Sequence, residues 1–119
     1  MLIPPREFAR IVEEALDSLP PQFAELLENV AVVIEEEPTD EDYEILEDPD
    51  AELLGIYRGF MRTERTHDML PTLPAQVAIF RGPIMRISRT RREAMREIRD
   101  TVIHELGHYF GLHDHDMPY

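Results

Sequence analysis

Near the end of this 119-residue chain stands His104-Glu105-Leu106-Gly107-His108, followed by Tyr109-Phe110-Gly111-Leu112-His113-Asp114. On a helix, two histidines four residues apart lie about 40° apart around the axis and roughly 6 Å apart along it. Their imidazoles can converge on one cation, and nitrogen ligands of this kind suit zinc. Glu105 points about 100° further round the axis. It sits beside such a cation without having to bind it, which is where a general base for an attacking water belongs.

A third ligand is needed, and its place follows by counting. The pattern H-E-x-x-H-x-x-G-x-x-H puts it ten residues after the first histidine, which here is Asp114 and not His113. The pattern is therefore H-E-x-x-H-x-x-G-x-x-D. Gly111 lets the chain leave a helix sharply, and a carboxylate is an accepted third zinc ligand. It makes the site less positive than three neutral imidazoles would. After a local slip His113 or His115 could bind instead, leaving Asp114 as a cap or an outer partner. The bland alternative is a solvent-facing acidic stripe that happens to carry two histidines. The added Gly111 and Asp114 weigh against it.

These residues need a helix to hold them, and the local signals for one are strong. Thr90-Arg91-Arg92-Glu93 has the form of a capping box. Ala94, Ile98, Val102, Leu106 and Tyr109 then follow on one side, predicting a helix from Arg91 to Phe110 closed by Gly111. His104 and His108 fall on another stripe, in line with Glu93, Glu97 and Asp100. The histidines are thus expected to look outward, toward solvent or a cleft.

Upstream, Pro5 suits the first position of a helix, and Phe8, Ile11, Val12, Ala15, Leu16 and Leu19 recur at helical spacing until Pro20-Pro21. Residues 22–28 can add a helical turn or two. Val30-Ala-Val-Val-Ile34 is a short β-branched run, read as a buried strand. From Glu35 to Asp50, 10 of 16 residues are acidic, which predicts a solvated loop. A calcium loop starting at Asp40 would need glycine at its sixth position, where Ile45 stands. A second strand is expected within Leu53–Met61 and a third at Gln76–Phe80, stopped by Gly82-Pro83, with Ile84–Ile87 continuing it after a turn. Residues 63–75 are expected to form a loop. One domain, residues 1–119, accommodates all of this.

Charge is distributed unevenly. Residues 1–57 carry 17 acids and 2 arginines, residues 58–100 carry 5 acids and 10 arginines, and the whole chain has a formal charge of −13. So negative a chain is a poor general binder of nucleic acid, which requires cationic neutralisation of phosphates. The arginines are expected to form a solvated face that pairs with the acidic segments. No apolar run is long enough to span a membrane, and the first residues lack the layout of a signal peptide. The default expectation is a cytoplasmic monomer. With no cysteine, disulfides, thiol nucleophiles and cysteine-based zinc fingers are excluded.

The stretch His104–Asp114 resembles the metzincin branch of zinc metallopeptidases. Residues from about 53 to 116 are similar to a small bacterial zincin-like, or "minimal metalloprotease", family. The matching text is Leu54-Gly-Ile-Tyr-Arg-Gly59, Leu73-Pro74, Ile79-Phe-Arg-Gly-Pro83 and Thr101-Val-Ile-His-Glu-Leu-Gly-His-Tyr-Phe-Gly-Leu112. The resemblance implies an α+β zincin-like fold: a small mixed β-sheet of three to four strands, packed by an N-terminal helix and a C-terminal metal-binding helix. It implies one Zn2+ per chain held by His104, His108 and Asp114, with Glu105 as catalytic base and a peptide or protein substrate. By family analogy an extended substrate would add as a strand beside residues 76–81. Metzincins also place a methionine turn well downstream of the third ligand, whereas only five residues follow Asp114 here. This departure motivates a second reading, a metal-binding regulatory or interaction domain with little catalysis. A metal-dependent endoribonuclease is a third, since one rRNA-processing family shares the ligand spacing. Glu105 and the negative charge speak against it.

Overall fold

The computed structural model describes residues 3–45, 52–58 and 75–109. Helix α1 (Pro5–Asp17) starts where the sequence predicts, with Pro5 in its first turn, and buries Phe8, Ile11, Val12 and Ala15. It ends two residues before Leu19: the Ser18 hydroxyl donates to the Ala15 carbonyl at 2.7 Å, turning the chain so that Leu19 still reaches the core. Pro21 then opens α2 (Pro21–Leu26), and a 3₁₀ turn over Leu27–Asn29 leads into strand β1 (Val30–Glu35).

The acidic segment departs from expectation in part. Asp40–Ile45 forms a short helix, α3. Its start is a reciprocal cap: the Thr39 amide donates to Asp42 Oδ2 at 2.8 Å, and the Asp42 amide donates to the Thr39 hydroxyl at 3.2 Å. Composition alone suggested a loop, because an aspartate in place of the usual glutamate, with no apolar run behind it, hides the capping signature.

Strand β2 (Gly55–Arg58) and strand β3 (Ala75–Phe80) complete a three-stranded mixed sheet in the order β1-β3-β2. β1 runs parallel to β3, with Val32 opposite Val77, and β2 runs antiparallel to it, with Gly55 opposite Ile79. β3 is buried on both faces from Val77 to Phe80, as a central strand should be. Val77 and Ile79 join the main core with α1 and the later helices, while Ala78 and Phe80 pack with Ile56 on the opposite face.

Residues 84–87 do not continue a strand. They belong to a helix, α4 (Arg81–Ile87). Pro83 lies in its first turn, where a missing amide hydrogen costs nothing. Pro83, Ile84 and Met85 are all buried, an arc that strand alternation cannot produce. Tertiary burial has overridden the β propensity of the isoleucines.

The last helix, α5 (Arg91–Tyr109), buries Ala94, Ile98, Val102 and Leu106 as expected, together with Ile103. Its cap also forms, with one shift. The Glu93 amide donates to the Thr90 hydroxyl at 3.1 Å, but the Glu93 carboxylate accepts from the Arg89 amide, one residue before Thr90, at 2.6 Å. No helix among the described residues is long and apolar enough to cross a membrane.

Candidate metal centre and cleft

Helix α5 carries His104, Glu105 and His108 on one continuous stretch, so the spacing that matters chemically is preserved by the helical backbone. His104 is exposed and Glu105 half-buried. Both line an open cleft of about 380 Å³ whose other walls are Leu54, Gly55, Glu97, Asp100 and Thr101. The apolar face of α5 is turned into the core, leaving the stripe of Glu97, Asp100 and His104 to the cleft. Glu93 had the same phase in the sequence, but it is spent on the helix cap.

His104 is held by its own helix. Its Nδ1 lies 2.8 Å from the Asp100 carbonyl oxygen. A carbonyl can only accept, so Nδ1 carries a hydrogen, and Nε2 is the ring nitrogen left to bind a cation when the ring is neutral. Metal-binding histidines are commonly oriented in this way, by a hydrogen bond from the nitrogen that does not bind. The donor chemistry at hand, an oriented imidazole with a second histidine one turn on, fits a borderline-soft divalent cation such as zinc.

Asp114, His113 and His115, the candidates for a third ligand, lie outside the described residues, as do Gly111 and the remainder of the tail. Among the described residues no group of three or more histidines or carboxylates could hold a metal.

The strand wall of the cleft was not foreseen. Leu54 and Gly55 lie far from the histidines in sequence and are brought beside them by the packing of α5 on β2. The only hint in the sequence was that Gly55 falls within a segment matching the family. The structure also corrects the expected place of an extended substrate. β3 is hydrogen-bonded to β1 on one side and β2 on the other, so residues 75–80 offer no open edge. The strand that borders the cleft is β2.

Away from the cleft, the expected pairing of arginines with acidic segments is present in detail. Arg58 holds Glu35 through two bonds of 2.7 and 2.9 Å and Asp42 at 2.9 Å, with its guanidinium 5.9 Å from the Phe80 ring centroid. Arg81 binds Glu36 at 2.7 Å and donates to the Ile3 carbonyl. Arg86 bridges Glu37 and Glu52, each through two bonds of 2.9–3.0 Å. Burial pushes the Asp42 carboxyl up, but the Thr39 amide, the Arg58 guanidinium and the Thr39 hydroxyl outweigh it and hold the group below the usual carboxylate range. Hydrogen bonds from Arg86 hold Glu37 and Glu52 low as well.

No curated protein matches the chain. Among solved structures, it is similar to a conserved hypothetical protein from Thermo thermophilus, with a TM-score of 0.54 and 20% identity. The likeness covers 89% of this chain and 92% of that one, and it bears on the fold alone. A family model described as zincin-like metallopeptidase matches residues 27–119, from the turn before the first strand through the histidine helix and the tail. With a mixed sheet, a helix bearing the H-E-x-x-H residues and a family match over more than half its length, the chain belongs to the zincin-like metallopeptidase family.

Proposed function

We propose that the protein is a zinc-dependent peptidase in which one metal ion is held by His104, His108 and Asp114, and Glu105 is the general base. The observation that carries this reading is the cleft-lining pair His104 and Glu105, with the His104 Nδ1 engaged by the Asp100 carbonyl so that Nε2 is the ring nitrogen left for an ion.

When bound, zinc would supply Lewis acidity toward the scissile carbonyl and toward water. The protein's own residues do the rest. His104 and His108, four apart on α5, hold the ion from one side of the helix. Glu105 accepts the proton from the attacking water and delivers it to the departing amine. Leu54 and Gly55 on β2 form the facing wall, against which a peptide would lie. The carboxylates of Glu97 and Asp100 make the cleft negative, which favours a cationic peptide over a phosphodiester chain. All the residues named come from one chain, so a monomer suffices.

The test is metal content by elemental analysis of the wild type and of Asp114→Ala, joined to turnover of a peptide library. One zinc per chain is expected in the wild type, with weakened zinc in Asp114→Ala. Glu105→Gln is expected to keep its zinc and lose turnover by roughly 10²–10⁴-fold. Zinc-loaded wild type that cleaves no peptide would leave the metal-binding, non-catalytic reading in its place.

A further inference from the structure

We infer that Gly55 is a positioning residue for this site. Its missing side chain lets α5 settle onto β2 at Thr101, and that contact sets the distance between the cleft wall and the His104–Glu105 pair. The inference rests on the peptidase reading of the same cleft.

Gly55 is buried in β2 and lines the cleft together with Thr101, His104 and Glu105. A Cβ built on Gly55 would stand 2.5 Å from Thr101 Cγ2 and 2.8 Å from the Ala78 carbonyl oxygen. Side-chain carbons essentially never come closer than 3.0 Å to another heavy atom, so something must move. The Ala78 oxygen belongs to the central strand, held between β1 and β2. The Thr101 methyl belongs to α5, which rests on the sheet. Strain against Ala78 stays within the sheet, between β2 and β3, whereas strain against Thr101 is relieved by rotation of the threonine or by a lift of α5.

Thr101 lies three and four residues before His104 and Glu105, hence on the same side of α5. Lifting the helix at Thr101 lifts the catalytic pair with it. Both helix-borne histidines would move as a unit, so their spacing to each other is kept while their distance from Leu54 and Gly55 grows. Metal affinity and turnover should therefore separate. A displacement of about 1 Å in a positioned group can cost on the order of 10²-fold in rate.

Four proteins test this: wild type, Gly55→Ala, Thr101→Ser and Gly55→Ala/Thr101→Ser, each assayed for zinc content, thermal melting and turnover of one peptide. Serine keeps the hydroxyl at 101 and removes the methyl that a Cβ at 55 would strike. We expect Gly55→Ala to hold one zinc per chain while kcat/KM falls about 10²-fold. The double variant keeps the contact with Ala78 and loses the one with the Thr101 methyl, so it is expected to regain at least tenfold over Gly55→Ala, with Thr101→Ser alone as its reference. Gly55→Ala with wild-type turnover overturns the inference, and so does a double variant no better than the single. If Gly55→Ala does not fold, a double variant that folds, binds zinc and turns over supports it, and one that also fails to fold overturns it. Failure of the peptidase reading is separate and appears first, as a zinc-loaded wild type without turnover. The zinc content and melting of the four proteins then still report whether the 55–101 contact sets the seat of α5.

Discussion

Beside the sheet, Glu35, Glu36, Glu37, Asp42 and Glu52 are each gripped by Arg58, Arg81 or Arg86, whereas on the cleft side of α5 Glu97 and Asp100 have no ion-pair partner among the described residues. The first group shows what a compact fold does with a highly acidic segment. Carboxylates of this segment are neutralised by guanidinium groups that tie distant segments together, Arg58 and Arg86 holding two each and Arg81 one. The second group lies along a concave wall, in a chain with twelve arginines, and its charge stays open. The lesson is that the paired acids belong to the architecture, while the open ones are left on the cleft wall, where the proposed function gives them a role in charge selection.

The sharpest break in this comparison comes from Glu105→Gln. It should remove turnover by orders of magnitude while zinc content is kept. Next in size is Arg58→Ala. It should cost roughly 2–3 kcal/mol in urea unfolding, because it leaves the buried Asp42 carboxylate and half-buried Glu35 without their cation. That figure is set below the usual range for a buried pair because the Arg58 side chain keeps 30% of its exposure. Zinc content should not change. An equal loss of zinc would mean that the two regions are not separable.

The pH dependence of stability sharpens the same point. The Asp42 carboxyl is held below its ordinary value in the folded protein, so its contribution is present above the unfolded value of about 4 and is lost as pH falls through the lower folded value. Urea midpoints measured from neutral pH down to about pH 2.5 should therefore fall steeply below about pH 4. They should fall less steeply in Asp42→Asn. Unchanged slopes in that variant would move the acid-sensitive group elsewhere.

The smallest expected effect lies on the cleft. Glu97→Gln and Asp100→Asn should lower kcat/KM for an arginine-rich peptide by a few-fold at low ionic strength and hardly at all at high salt, with stability within about 0.5 kcal/mol. The Asp100 variant keeps the main-chain carbonyl that orients His104, so zinc should be retained. A comparable loss for an acidic peptide would show that the two carboxylates do not select by charge.

Comparing expectation with structure element by element, the errors share one cause. The face of α1, the cap and face of α5, and the three strand positions were legible because each depends on neighbours within a turn or a pleat. The acidic segment was expected to be a loop, and part of it is α3, where a local cap between Thr39 and Asp42 is joined by Arg58 from β2, which neutralises the buried carboxylate. Residues 84–87 were expected to extend a strand, and they fold into α4, because the core needed Pro83, Ile84 and Met85 on one side. The arrival of Arg58 and the burial of that arc are not visible in a local window.

The same division runs through the candidate site. The spacing of its helix-borne candidates was legible in sequence alone: the four-residue step from His104 to His108 and the offset of Glu105 follow from 3.6 residues per helical turn, whereas the contact of His104 with the Asp100 carbonyl came from the structure. What only the tertiary structure decided was the space in front of those groups. Packing of α5 on β2 chose Leu54 and Gly55 as the facing wall, and the strand order closed both edges of β3 to an incoming peptide. Helical spacing is local geometry and travels with the chain. A cleft is made by two segments that meet, and their approach depends on atoms as small as the missing Cβ of Gly55.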